Sequence, residues 1–411
     1  MQHAETDGAS PARPRLRAGS TVGIHAFVDM TQFVVIALMP TLTLRLDLSG
    51  SQVAALLAMT AVSSGLVQPI TAWLGDRHDT RWFGTLGVVL AGACVGSLPF
   101  LTGFWDLLVV TTLGAIGVGA FHPPANAAVG ALVPARRTFW LSLFFLSGMA
   151  GGVLGNVGAP QAVAAGGLGV VMLLAPVGVV MMLWLAWSIN GVAHAERHEA
   201  DGTRRRAGPG AWLAVWVLYA GNVVRFAVNN ALFYLLIVSA EELTRERAGV
   251  EALTGALGED ASKLNGLFQG LMQVGSGGAA LLLGLWLGHR REKTAIVVAP
   301  LLGAIAIWCM PLLPGATALA LLSVAAGVGF GAVVPVTVSM AQRLLPHRTG
   351  LASGLMLGGA WMFAGVGALS AEAMHERAGV EVAFSVVAGV LAFAGVVSLL
   401  VPTKALRACE R

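Results

Sequence analysis

The sequence predicts an all-α membrane protein: twelve transmembrane helices in two pseudo-symmetric six-helix bundles. Three observations carry that expectation. Of 411 residues, 56% are hydrophobic and only 11% charged, against about 25% charged in a soluble domain. Apolar runs recur along the whole chain at the length that crosses a bilayer, about 20 helical residues. Such runs mark helices, not the alternating strands of a barrel. The two halves also repeat each other. Trp73-Leu74-Gly75-Asp76-Arg77 matches Trp286-Leu287-Gly288-His289-Arg290, and Gly117-Val118-Gly119 matches Gly327-Val328-Gly329. Val133-Pro134-Ala135-Arg136 resembles Leu345-Pro346-His347-Arg348. The three offsets agree at about 210 residues, and agreement in register marks an internal repeat. Two parallel six-span halves are the pattern of a transporter, with a substrate site at their interface near the membrane midplane.

Residues 1–19 form a polar tail, and 20–191 hold the first bundle. Span 1 covers about Ser20 to Leu44. Arg13, Arg15 and Arg17 precede it as in a signal peptide, but the run is too long and contains His25 and Asp29, so the span is expected to stay uncleaved. Span 2 covers about Gln52 to Leu74, span 3 Trp82 to Leu101, span 4 Leu107 to Val133, span 5 Phe139 to Ala164 and span 6 Leu168 to Ile189. Residues 192–210 read as a charged, solvated linker ending in Gly-Pro-Gly. The second bundle, 211–402, begins with span 7 at Ala211 to Ala240. Residues 241–263 are too polar to cross and are expected to be partly helical outside the membrane. Span 8 covers about Leu264 to Leu287, span 9 Thr294 to Leu312, span 10 Ala316 to Leu344, span 11 Gly350 to Ala371 and span 12 Val382 to Val401. Residues 403–411 are a short basic tail.

The basic residues test this layout. One membrane side receives only Arg45, Arg245, Arg247, Lys263 and Arg377; the other receives all the rest except the intramembrane Arg225. The positive-inside rule then puts both termini and the linker in the cytoplasm. The net charge of +4 is topological and gives no sign of a nucleic-acid partner. Cys94, Cys309 and Cys409 form no C-x-x-C pair, so neither a disulfide framework nor a zinc motif is indicated.

Charges inside spans are costly and therefore mark candidate sites. On span 7, Asn222, Arg225 and Asn229 share one helical face and read as the wall of a pathway. On span 1, His25 and Asp29 are one turn apart, with Gln32 on the next turn of that face. Counted from the charged loops, Asp29 and Arg225 lie at equal depth in equivalent helices. A carboxylate–guanidinium pair across a cavity is therefore expected, either as a proton or anion switch or as a lock between the halves. His122 stands before Pro123 and Pro124 in span 4, which should kink the helix and free carbonyls beside a titratable ring. Gly148, Gly151, Gly152 and Gly155 give span 5 a small-residue face for close helix packing. Gln342 is a further polar candidate in span 10. No G-x-x-x-x-G-K-[ST] loop is present, which argues against direct ATP drive.

With these residues quoted, the chain resembles the major facilitator superfamily. The loop Gly75-Asp76-Arg77-His78-Asp79-Thr80-Arg81 is similar to that family's loop between spans 2 and 3, which implies a gating role for Gly75, Asp76, Arg77 and Arg81. Within the family it resembles the fosmidomycin-resistance-type exporters. The matching pieces are His25-x-x-x-Asp29 with Pro40, Gln68-Pro69, Phe121-His122-Pro123, Gln342-Arg343-Leu344-Leu345-Pro346 and Gly350-Leu351-Ala352-Ser353-Gly354. Three positions depart from the pattern: Pro124 stands where an acid is expected, Asn156 follows Gly155 in place of proline, and His289 replaces the acid of the second-half loop.

The resemblance implies a cavity lined by spans 1, 4, 7 and 10, with His25 and Asp29 coupling to protons. Gln32, His122, Asn222, Arg225, Asn229 and Gln342 would bind substrate. The expected protein is a monomeric secondary transporter of the cell inner membrane, not an enzyme. It would need no cofactor beyond the proton gradient and would partner a small molecule, protons and the lipid bilayer. Proton-driven export of a small polar or anionic compound is the leading expectation. Uptake by symport, or a non-transporting receptor on the same fold, are the alternatives.

Overall fold

The computed structural model describes residues 13–75, 78–192, 210–346 and 348–402. The expected N-terminal tail up to residue 12, Asp76 and Arg77 of the gating loop, the linker over 193–209 and the tail from 403 lie outside the described residues.

Twelve spans form two six-helix bundles. The first bundle holds span 1 (Pro14–Ala37 continued by Met39–Leu46), span 2 (Gly50–Gly75) and span 3 (Arg81–Gly96). Span 4 (Phe104–Leu132), span 5 (Arg137–Gly166) and span 6 (Leu174–Ile189, after a 3-10 turn at Leu168–Leu173) complete it. The second bundle holds span 7 (Ala211–Ala248), span 8 (Gly255–Trp286) and span 9 (Glu292–Cys309). Span 10 is Ala316–Gly331 plus Val334–Leu344, span 11 runs through Thr349–Gly354, Leu355–Gly359 and Gly365–Ala378, and span 12 is Val380–Val397 with a 3-10 end at Ser398–Leu400. Among the described residues ten helices are long and apolar enough to cross a membrane; the other two spans are the short Arg81–Gly96 and the thrice-divided span 11. The polar segment after span 7 is mostly helical, as expected. Span 7 runs on to Ala248 and ends at Gly249, whose φ of 65° suits a residue without a Cβ.

Proline explains two of the breaks. Pro40 has no N–H for the carbonyl of Ile36, and span 1 divides at Leu38. Pro335 likewise leaves the carbonyl of Gly331, and span 10 divides there. In span 4, Pro123 and Pro124 lie inside one helix that runs from Phe104 to Leu132. Gly84 of span 3 makes room for them, since a Cβ there would stand 2.8 Å from Pro124 Cγ.

Glycines set the helix–helix distances within and between the bundles. A Cβ on Gly151 of span 5 would lie 2.8 Å from Ala26 Cα of span 1, and one on Gly155 3.2 Å from the Met30 carbonyl carbon. Between bundles, span 2 meets span 11 (Gly65 against Met362, Gly365 against Ala58) and span 5 meets span 8 (Gly266 against Pro160, Gly277 against Met149). Span 1 reaches span 8 through Thr41, which accepts and donates hydrogen bonds at Ser262 and Gly258, and through Asn265. All these contacts lie from the middle of the spans towards the side opposite the described chain ends. Towards the chain-end side, Gln68 stands against Gly358 and Met149 against Gly277. Lipid-facing positions carry large exposed apolar side chains, among them Trp82, Trp105 and Trp286 near span ends, where tryptophan favours the membrane–water boundary.

Gly151→Ala is expected to destabilise the protein by roughly 1–3 kcal/mol through overpacking. Gly158→Ala, with open space at its Cβ, should be neutral. Thermal melts of the two purified variants, followed by size-exclusion fluorescence, compare them directly.

Candidate functional site

Span 1 brings His25 and Asp29 to one face, and span 4 brings His122 against them. His25 Nε2 lies 3.3 Å from Asp29 Oδ2, and His122 Nε2 lies 3.3 Å from Asp29 Oδ1. The two Nε2 atoms are 3.2 Å apart. Span 5 holds His25 in place: its ring stacks on Phe144 at 3.8 Å and 8°. Gly148 of the same span leaves the room, because a Cβ there would fall 2.8 Å from His25 Nε2 and against the Asp29 carboxylate. His25 is buried, whereas 14% of the Asp29 side chain and 25% of that of His122 are exposed.

The far nitrogens fix the tautomers. His25 Nδ1 is 2.6 Å from the Phe144 carbonyl, and His122 Nδ1 is 2.7 Å from the Val118 carbonyl. A carbonyl oxygen only accepts, so each Nδ1 must carry the hydrogen and donate it. Ser147 gives its own hydroxyl hydrogen to the same Phe144 oxygen at 2.7 Å. In the neutral rings both Nε2 atoms are then bare lone pairs. They point at each other and at a carboxylate, which also only accepts when ionised. Three acceptors converge and no donor stands among them. One cation, placed on or between the Nε2 atoms, converts the mutual repulsion into attraction.

The expected Asp29–Arg225 pair is not formed. Arg225 is fully buried inside the second bundle. It donates from Nη1 to Asn222 Oδ1 (3.1 Å) and from Nη2 to the Ile296 carbonyl (3.1 Å) and Ser398 Oγ (2.9 Å). It therefore ties span 7 to spans 9 and 12, near their chain-end side, and does not face the gap between bundles. The end of span 12 supplies the negative pole of its helix there, which suits a guanidinium without an acidic partner. Counting residues from the loops placed the two charges at one depth but could not give the rotation of span 7.

The remaining candidates disperse. Asn222 donates to Thr337 Oγ1 and the Met356 carbonyl, inside the second bundle. Asn229 is buried with no partner for its Oδ1 among the described residues. Gln342 donates to Ser353 between spans 10 and 11. Gln32 lines a mainly apolar cavity of about 40 Å³ among spans 1 to 4, with Thr31, Thr60 and Thr111. Gly152 abuts Gln273 of span 8 and Phe33. In the loop expected to gate, Gly75 ends span 2, and Arg81 opens span 3 while pairing with Asp79 at 2.5 Å. Sequence reasoning missed Phe144, Ser147 and the Val118 carbonyl. They carry no local signal, because each acts through a helix that contacts the histidines only in three dimensions.

Residues 21–258 match the sequence model of the Major Facilitator Superfamily. The fosmidomycin resistance protein of Escherichia coli (strain K12) is 22% identical over 382 residues, covering 92% of this chain and 90% of that protein. An uncharacterised MFS-type transporter of Bacillus subtilis (strain 168), YfnC, is 22% identical over 408 residues, covering 90% and 91%. Among solved structures, a bacterial homologue of the human lysosomal transporter Spinster, inward-facing and occupied, superposes with a TM-score of 0.70 at 16% identity, covering 98% of each chain. At this identity the superposition speaks for the fold alone.

Asp29 and Arg225 share no partner and sit in different bundles. The destabilisation caused by Asp29→Asn and Arg225→Gln should therefore add in the double variant to within about 0.5 kcal/mol. A lock between the bundles would instead show the double variant recovering stability. Thermal melts of the two single variants and the double variant measure the difference.

Proposed function

The chain belongs to the Major Facilitator Superfamily and is an integral membrane transporter of small molecules; on that premise we propose that it exports a small polar or anionic compound in exchange for protons. It works by alternating access, as a monomer, in the cell inner membrane, drawing on the proton gradient with no bound cofactor. The observation that carries this reading is the acceptor-only cluster of His25, Asp29 and His122. A proton is the smallest cation that relieves it, and the partly exposed Asp29 and His122 give that proton a way out. The cluster is complete with a proton and repulsive without one, so loading and unloading change the contact between span 1 and span 4. That is the link a coupled cycle needs.

Export in particular is supported by the name of the Escherichia coli relative, a resistance protein. The asymmetry of basic residues supports cytoplasmic termini. Arg225 acts here as a tether within the second bundle, and the cargo meets the face of span 1 and span 4 at Gln32 and His122.

Purified protein in liposomes with an imposed pH gradient tests the reading, with fosmidomycin as the first trial compound. Exchange concentrates the compound in the acidic compartment; symport would concentrate it in the alkaline one, and a receptor would concentrate it in neither. Asp29→Asn should lower gradient-driven transport at least about tenfold while keeping affinity within that factor, roughly 1.4 kcal/mol. Loss of binding with coupling intact would overturn the assignment. Orientation is checked separately in a cysteine-free background. Ala200→Cys should react with an impermeant thiol reagent only after permeabilisation, and Ala252→Cys should react from outside.

A further inference from the structure

We propose that His25, Asp29 and His122 form a binding site for a single divalent transition-metal ion of the Zn²⁺, Co²⁺ and Ni²⁺ class, with one coordination position left open. Ligands on a tetrahedral ion stand about 1.6 bond lengths apart, which is about 3.3 Å for bonds of about 2.0–2.1 Å to nitrogen and oxygen. The two Nε2 atoms stand 3.2 Å apart, and each lies 3.3 Å from its own oxygen of the Asp29 carboxylate. One ligand atom from each of the three residues lies within 4.8 Å of the other two, so a small turn of the carboxylate completes a triangular face of such a site.

The backing of the histidines agrees. Metal-ligating imidazoles characteristically donate their second nitrogen to a carbonyl or carboxylate, which fixes the tautomer and aims the lone pair. Both rings do this, His25 to Phe144 and His122 to Val118. The stacked Phe144 ring further fixes the plane of His25. Two imidazole nitrogens with one carboxylate favour a borderline transition metal over Mg²⁺ or Ca²⁺, which take mostly oxygen ligands. Three protein ligands leave the fourth position free. Asp29 and His122 are the partly exposed members, so that position lies on the exposed side of the cluster, where water or a donor atom of a second ligand completes it.

A bound metal joins span 1 to span 4 and occupies the space a proton would take. The consequence for a transporter is inhibition by micromolar-range metal salts, relieved by a chelator. The metal site stands on coordination geometry alone and does not depend on the transported compound or on proton exchange.

Purified full-length protein is equilibrated with ZnCl₂ alone, and bound metal per chain is counted after dialysis. One ion per chain is expected for wild type. Asp29→Asn and His122→Ala should each lose it, while His375→Ala, outside the cluster, should keep it. Gly148→Ala leaves all three ligands but places a methyl group against His25 Nε2; it should weaken binding at least tenfold. Co²⁺ in place of Zn²⁺ should give the intense visible bands of a tetrahedral centre, and these should vanish in His122→Ala. No saturable binding, or binding that survives both ligand variants, overturns the proposal. If metal binds as expected and no gradient-driven transport is found, the exchange reading fails and the metal site remains. Proton-coupled transport without metal binding would instead uphold exchange and remove the metal site.

Discussion

Two imidazole lone pairs and a carboxylate have been gathered into one buried corner without a donor between them. Bare, that arrangement repels itself. Much of the first bundle is arranged around this constraint. Phe144 and Val118 each take a hydrogen that could otherwise have separated the rings. Gly148 gives up its side chain so that His25 and Asp29 fit beneath span 5. Span 5 then follows span 1 closely along Gly151 and Gly155. The close contact of spans 1 and 5 and the chemistry of the cluster are one packing problem, solved with small residues on one helix and polar residues on the other.

Much of the fold was legible from composition and periodicity, since a backbone in lipid has few ways to satisfy its polar groups. The twelve spans, their repeat and the glycine face of span 5 all follow from local pattern. Pro40 and Pro335 announce their breaks through a missing donor. Pro123 and Pro124 lie inside one helix, with Gly84 of span 3 leaving room for the Pro124 ring. The division of span 11 around Leu355–Gly359 has no proline signal at all.

The site was legible only in its local half. His25 and Asp29 stand one turn apart, so a helix alone unites them. His122 is 93 residues from Asp29 in sequence, and only the packing of span 4 on span 1 joins it to them. Arg225 shows the limit from the other side. Its cost in a membrane singled it out correctly as a residue needing partners, yet the partners are a carbonyl and a hydroxyl on spans 9 and 12. Depth along a helix can be counted from its loops; the direction a side chain faces depends on the rotation of that helix among its neighbours.

The break in span 1 carries a consequence for how the molecule changes shape. The carbonyl of Ile36, released by Pro40, and that of Ala37, whose helical donor Thr41 N–H turns to Ser262 Oγ, are not left bare: Asn265 of the opposite bundle donates to them at 2.7 and 3.2 Å. One bundle thus completes the backbone of the other. Any rocking motion that draws span 8 away from span 1 strips those oxygens and the amide of their partners at the same moment. Solvent must enter the widening cleft to replace them, because stranded backbone acceptors are expensive in a dry interior. The opening step is therefore also a wetting step, and osmolytes that lower water activity should lengthen the life of the shut conformation.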